Sequence, residues 1–289
     1  MAEQKIGNWG KWGPNDEIGT LNYITPDVIK RAAALIKKGK VYSLAIPLSR
    51  EAPIWPTRSK IFHFVSARNN PAPGGGGGAE DIVTMHSHGT THIDSLAHIW
   101  FDSRLYNGWP ATVVSSRGTE KNSIDRVKGI VSRGILLDIA GLKAVDALDA
   151  GYTITPKDLQ DCLALEGLDI QGGDVVLVRT GFINILSKES TDPYCGEPGI
   201  GLEAALWLKE KEISAIGADN GAVESISPKK PPASMPVHPE MIRNQGCHLM
   251  ELLQLDELVN DKAYQFLFVA APLQLKNGLG SPLNPLAIA

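Results

Sequence analysis

Four of the seven histidines and one aspartate fall within thirteen residues, His86-Ser87-His88-Gly89-Thr90-Thr91-His92-Ile93-Asp94-Ser95-Leu96-Ala97-His98. Any fold of this chain must accommodate a dense knot of imidazole and carboxylate, which is a transition-metal ligand set. Spacing limits how the knot can close. His88 and His92 have helical spacing, but Gly89, Thr90 and Thr91 between them are poor helix formers, so a turn is expected. His92 and Asp94 are two apart, share a face of an extended segment and can grip one ion. Gly89 lets the backbone fold back and bring His88 to the same point. His98, four beyond Asp94, can reach the site without ligating. The ordinary reading of a histidine is a hydrogen-bonded structural residue, and it is adopted for His63, His86 and His248. For His88, His92 and Asp94 together, density and chemistry favour metal binding.

The remaining chain supplies the frame. Thr25-Pro26-Asp27 opens a helix over 26–38 that Gly39 stops, and strands are expected over 41–48 and 61–66. Further on, a strand over 134–139, a helix over 156–166, a buried strand over 174–179, a helix over 198–210 and a strand over 213–216 alternate. That alternation predicts an α/β fold. Short helices over 236–244 and 255–259 precede a terminal strand over 264–270. With no repeat and no clean linker, residues 1–289 read as a single domain, with 1–40 an N-terminal extension packed on it.

Composition narrows the function classes. At 43% hydrophobic residues the chain can bury a substantial core, and its net charge of −4 offers no basic field to a nucleic acid. Cys162, Cys195 and Cys247 are far apart and odd in number, which argues against a disulfide framework and a thiolate zinc site. The start lacks a signal-peptide pattern and no apolar run reaches the ~18 residues needed to span a bilayer. A cytoplasmic protein without a membrane partner is expected. There is no Gly-x-Ser-x-Gly elbow, and Cys247 beside His248 reads as a small buried hydrophobe. The glycine run 74–78, entered through Pro71-Ala72-Pro73, lacks the context of a phosphate loop and reads as a mobile segment that could serve as a lid. Trp9, Trp12, Trp55, Trp100, Phe101 and Tyr106 offer aromatic surface. Core packing is its commoner use, but Trp100 and Phe101 follow His98 closely enough to wall a substrate pocket.

The stretch from His88 to His98 resembles the signature of the cyclase family of metal-dependent hydrolases: His, three residues, His, one, Asp, three, His. All four positions match, while Leu96 stands where a proline is common. Residues 12–22, 173–181 and 216–220 are similar to further family segments. His238 and Glu251 sit where the family supplies two more ligands, and Leu252 follows where the family often has Asn. The resemblance implies that His88, His92 and Asp94 hold one metal, with Asp94, His238 and Glu251 available to a second. One or two divalent ions are therefore expected, Zn first and Mn second. It also implies a mixed, barrel-like curved sheet flanked by helices, of the swivelling β/β/α kind, and a homo-oligomer, dimer or tetramer.

A divalent ion with an open position lowers the pKa of bound water toward ~7 and polarises a carbonyl. The expected reaction is attack by a metal-bound hydroxide on the amide or lactone carbonyl of a small cyclic or aryl compound, with His98 as the catalytic proton shuttle. Other readings stay open: His98 as a further ligand, a metal-loaded protein that binds a small molecule without turnover, or a metal-dependent lyase or cyclase. A free His98 and the absence of Cys ligands favour catalysis.

Overall fold

The computed structural model describes residues 6–55, 57–68, 74–186, 196–228 and 235–289. Its first strands are β1 (Val41–Ser43), β2 (Phe62–Arg68), β3 (Gly78–Thr84), β4 (His92–Asp94), β5 (Val114–Ser115), β6 (Gly118–Thr119), β7 (Ile130–Asp138) and β8 (Thr153–Ile154). There follow β9 (Val175–Arg179), β10 (Gly199–Ile200), β11 (Ala215–Ala218), β12 (His248–Glu251), β13 (Gln265–Ala270), β14 (Gly280–Pro282) and β15 (Leu286–Ile288). The helices are α1 (Pro26–Ala33), α2 (Ile139–Leu142), α3 (Pro156–Glu166), α4 (Phe182–Leu186), α5 (Leu202–Glu210) and α6 (Asp256–Asn260), with a π-helical segment at Pro239–Gln245.

Nine strands join one mixed sheet in the order β1-β15-β13-β7-β9-β11-β12-β4-β14, curled into a half-barrel. β7, β9, β11 and β12 are parallel, and their long connections carry α3, α5 and the π-helical segment. The flanking pairs are antiparallel. A parallel centre is covered on both faces, which is why Val175, Val176, Leu177 and Val178 are all apolar and all buried. The period of two then divides them between two cores. Ile135, Leu137, Val176 and Val178 pack with α3 and α5, while Leu136, Val175 and Leu177 pack with Tyr42, Phe266 and Phe268.

Local chemistry sets the element ends. In α3, Thr155 accepts from Asp158 N, Asp158 accepts from Thr155 N, Pro156 occupies the first turn and Gly167 closes the helix at φ 68, so the expected span is observed. α1 stops at Ala33, short of the expected 38, because Lys38 N and Lys40 N both donate to the C-terminal Ala289 O. The helix expected over 198–210 begins at Leu202, since Gly199 and Ile200 are taken up as β10 beside β8. Only Val41–Ser43 of the strand expected over 41–48 is regular; Leu44 N then turns to Pro285 O.

The N-terminal segment is tied to the end of the π-helical turn: Asn8 Nδ2 donates to Gln245 O at 3.0 Å and Trp9 Nε1 to Arg243 O at 2.8 Å. Gly246 ends that turn at φ 68 against the Tyr106 ring, leaving no room for a Cβ. β2 and β3 pair only with each other, as an exposed antiparallel arm whose tip carries the described glycines of the run 74–78. Pro71-Ala72-Pro73 lies outside the described residues, as does Cys195. Cys162 and Cys247 are free and buried, as expected of small hydrophobes. No helix among the described residues is long and apolar enough to cross a membrane.

Candidate metal centre

β4 is three residues long, wholly buried, and clamped antiparallel between β12 and β14. Its alternation sends Ile93 into one core while His92 and Asp94 share the opposite face, as the spacing predicts. His92 Nδ1 donates to Thr90 O at 2.6 Å, which fixes the ring and directs Nε2 to 3.1 Å from Glu251 Oε2 and 3.7 Å from Asp94 Oδ1. Glu251 arrives directly opposite His92 through the β12–β4 register. Before β4, the turn expected around Gly89 places His88 Nε2 at 3.4 Å from Asp94 Oδ1 and 3.2 Å from Leu279 O. A Cβ on Gly280 would lie 2.5 Å from that nitrogen, so the close approach of β14 requires glycine.

His238 stands at the head of the π-helical turn, with Nε2 at 3.3 Å from Glu251 Oε1 and 3.9 Å from Asp94 Oδ2. Its Nδ1 donates to Glu224 Oε1 at 2.5 Å. Glu224 also accepts from Val237 N at 2.9 Å and His238 N at 3.0 Å, so a buried carboxylate sets both the ring and the backbone that carries it. His248 is hydrogen-bonded, Nδ1 donating to Asp94 O at 2.7 Å, while His63 sits 3.2 Å from Asp81 on the β2–β3 arm and His86 is exposed.

Two sets of donor atoms, each mutually within 4.8 Å, result: His88, Asp94 and His98, and Asp94, His238 and Glu251. Asp94 is common to both. All six residues singled out in the sequence converge, but His98 falls at ligand distance from His88 and Asp94, its ring stacked 4.3 Å from that of His88. His92 Nε2 and both carboxylate oxygens of Asp94 are buried without a hydrogen-bond partner. Leaving such groups unmet costs about 1–3 kcal/mol each. A divalent cation satisfies an imidazole lone pair and a carboxylate together, so this nitrogen and oxygen set, without thiolate, fits one.

Electrostatics agree with a donor role at His88 and His98, whereas at His92 and His238 the neighbouring carboxylates overcome burial and raise the imidazoles. Burial pushes the His98 imidazole down to about 3, assisted by His238, and pushes His88 down to about 4 against the pull of Asp94. Both rings are neutral at pH 7. Burial tends to raise Glu251, but the His238 and His92 imidazoles beside it hold it well below the carboxylate range. Asp94 is raised by burial and by the nearby Glu251 charge.

The centre opens onto a cavity of about 370 Å³ lined by Trp55, Trp100, Phe101, Met235, Arg58 and His98, with His238 and Glu251 at its inner end. Trp100 and Phe101 are 51% and 59% exposed and therefore wall the cavity instead of filling a core. Trp9 and Tyr106 do pack against the core. None of the described glycines of the run 74–78 lines the cavity. Glu224 and Arg58 escaped the sequence reading. Arg58 Nη1 donates to the carbonyl of His88 across thirty positions of chain, and Glu224 meets His238 across fourteen, so neither contact leaves a spacing signal.

The family model described as "Putative cyclase" matches residues 42–225. An isatin hydrolase from Roseibium aggregatum is 25% identical over 218 residues, covering 71% of this chain and 73% of its own. Among solved structures, one described as a novel cyclase is 34% identical, covers 99% of this chain and 100% of its own, and superposes with a TM-score of 0.91. An isatin hydrolase bound to the product analogue thioisatinate, 21% identical, covers 90% of this chain and 95% of its own with a TM-score of 0.65.

Proposed function

The chain belongs to the cyclase family, and from that footing we propose that it is a metal-dependent hydrolase cleaving the amide or lactone bond of a small cyclic or aryl compound. The observation that carries this reading is the buried set of unpartnered His92 and Asp94 donors at the inner end of an aromatic-walled cavity. A divalent ion held by His88, His92, Asp94, His238 and Glu251, Zn first and Mn second, as one ion or two, supplies Lewis acidity that acidifies water and polarises a carbonyl.

The chain's own groups do the rest. His98 faces the cavity as well as the donor set, which places it to relay a proton between the attacking water and the leaving nitrogen or oxygen. Trp55, Trp100 and Phe101 hold a flat ring and exclude water. Glu224 keeps Nε2 of His238 turned inward. The likeness to isatin hydrolase supports a cyclic amide among the substrates. A homo-oligomer, dimer or tetramer, is part of the proposal, supported by the exposed apolar arm of β2 and β3.

The test is elemental analysis of wild type and His92→Ala, alongside hydrolysis of a panel of lactones, lactams and N-formyl aryl amines. Near-stoichiometric Zn or Mn in wild type, its loss in the variant, and cleavage by the loaded protein alone are expected. No bound metal after reconstitution overturns the centre. Firmly bound metal with no turnover favours the binding-protein reading.

A further inference from the structure

Hydrolysis of a neutral ring leaves Arg58 without a use. It is partly buried in the wall of the cavity and is the one lysine or arginine among the described lining residues. Its Nη1 donates to the His88 carbonyl, which anchors one edge of the guanidinium and leaves the rest of the fork to the cavity. Among the described residues no carboxylate lies within 4.0 Å of it. A half-desolvated guanidinium without a counter-ion is an anion site. It bonds the backbone of His88 and lines the same cavity as His98, so it stands beside the donor set.

Resting on the hydrolase reading above, we propose that Arg58 determines specificity by gripping a carboxylate next to the scissile carbonyl. The substrate class is then an aryl amide or ester with a carboxylate ortho to the group that is cleaved. Three contacts fix such a molecule: the ring between Trp55, Trp100 and Phe101, the carbonyl at the inner end, and the carboxylate on Arg58. One planar fork matches the two oxygens of a carboxylate. A phosphate dianion calls for further cations, and no other lysine or arginine lines the described cavity.

The test compares kcat/KM for 2-formamidobenzoate and for its neutral counterpart formanilide, in wild type, Arg58→Gln and Arg58→Lys. Calorimetric binding of 2-aminobenzoate to each metal-loaded protein runs beside it. Wild type is expected to favour the carboxylate by at least about tenfold, a preference that falls toward one in Arg58→Gln, mainly through KM, and is partly restored in Arg58→Lys. Binding of 2-aminobenzoate should weaken at least about tenfold in Arg58→Gln, with the melting temperature showing that the variant is folded. Cleavage of both substrates without preference, or a preference that survives Arg58→Gln, overturns the assignment to Arg58 and leaves the hydrolase intact. Arg58-dependent binding without cleavage of either substrate supports the anion site and counts against the hydrolase. Absence of both binding and cleavage overturns the two together.

Discussion

Glu224 accepts three hydrogen bonds, two from the backbone at Val237 and His238 and one from the His238 ring. A carboxylate on the outer nitrogen of a ligand histidine fixes its tautomer and raises its basicity. Glu224→Gln should therefore weaken metal binding by about 10–100-fold, read by competition against a chelator, with the melting temperature of the metal-free protein moving less than that of the loaded one. At this scale the sequence was legible where chemistry was local. The His88 to His98 cluster announces itself by density, whereas Glu224 and Arg58 act through contacts that only the fold creates. Leu252 shows a subtler case. It sits at φ 56, a left-handed conformation that Asn adopts easily and Leu does not. Here the link beside Glu251 is held by main-chain bonds, Leu252 N to Asn220 O at 2.9 Å and Thr91 Oγ1 to Leu252 O at 2.5 Å, without help from a side chain at 252.

The same rule governs the elements. Apolar runs and the Thr155-Pro156-Lys157-Asp158 cap were readable because each is a property of neighbouring residues. The ends of α1 and β1 were not, because the C-terminal residues Pro285 and Ala289 take up their backbone groups. Glu166, the last residue of α3, illustrates what such junctions cost. Its Oε1 accepts from Asp138 N at the end of β7, its Oε2 is buried without a partner, and burial pushes its carboxyl up to about 7. The folded state then keeps a proton that the unfolded chain releases near 4.5, so stability falls as pH rises from 4.5 through 7. Glu166→Gln should remove that slope, leaving stability near pH 4 little changed and raising it at pH 8 by on the order of 1–2 kcal/mol. Denaturant titrations at the two pH values check it.

For the whole molecule, the α/β alternation foretold the parallel centre, but it could not foretell which edge of the sheet β4 would join. The three residues of β4 carry too little β signal to fix their partners. Nor did it foretell the arm, where Phe64, Val65 and Ile82 are 58%, 61% and 61% exposed on a ribbon with no third strand. A two-stranded ribbon is marginal alone in water, and contiguous exposed apolar residues mark interaction surfaces. Light scattering should find wild type as a dimer or tetramer and the double variant Phe64→Ser, Ile82→Ser at lower mass; a monomeric wild type would remove the oligomer from the proposal.

The clamp on β4 also has a timetable. His92 and Asp94 are made before the strands that hold them, since β12 and β14 both lie far downstream in the chain. Until Gly280, Ser281 and Pro282 emerge, β4 lacks one neighbour and His88 lacks its backstop. Pairings this distant in sequence close slowly. A divalent ion held there would therefore be acquired only once β12 and β14 are in place, and a chain cut before Gly280 is expected to lack the centre.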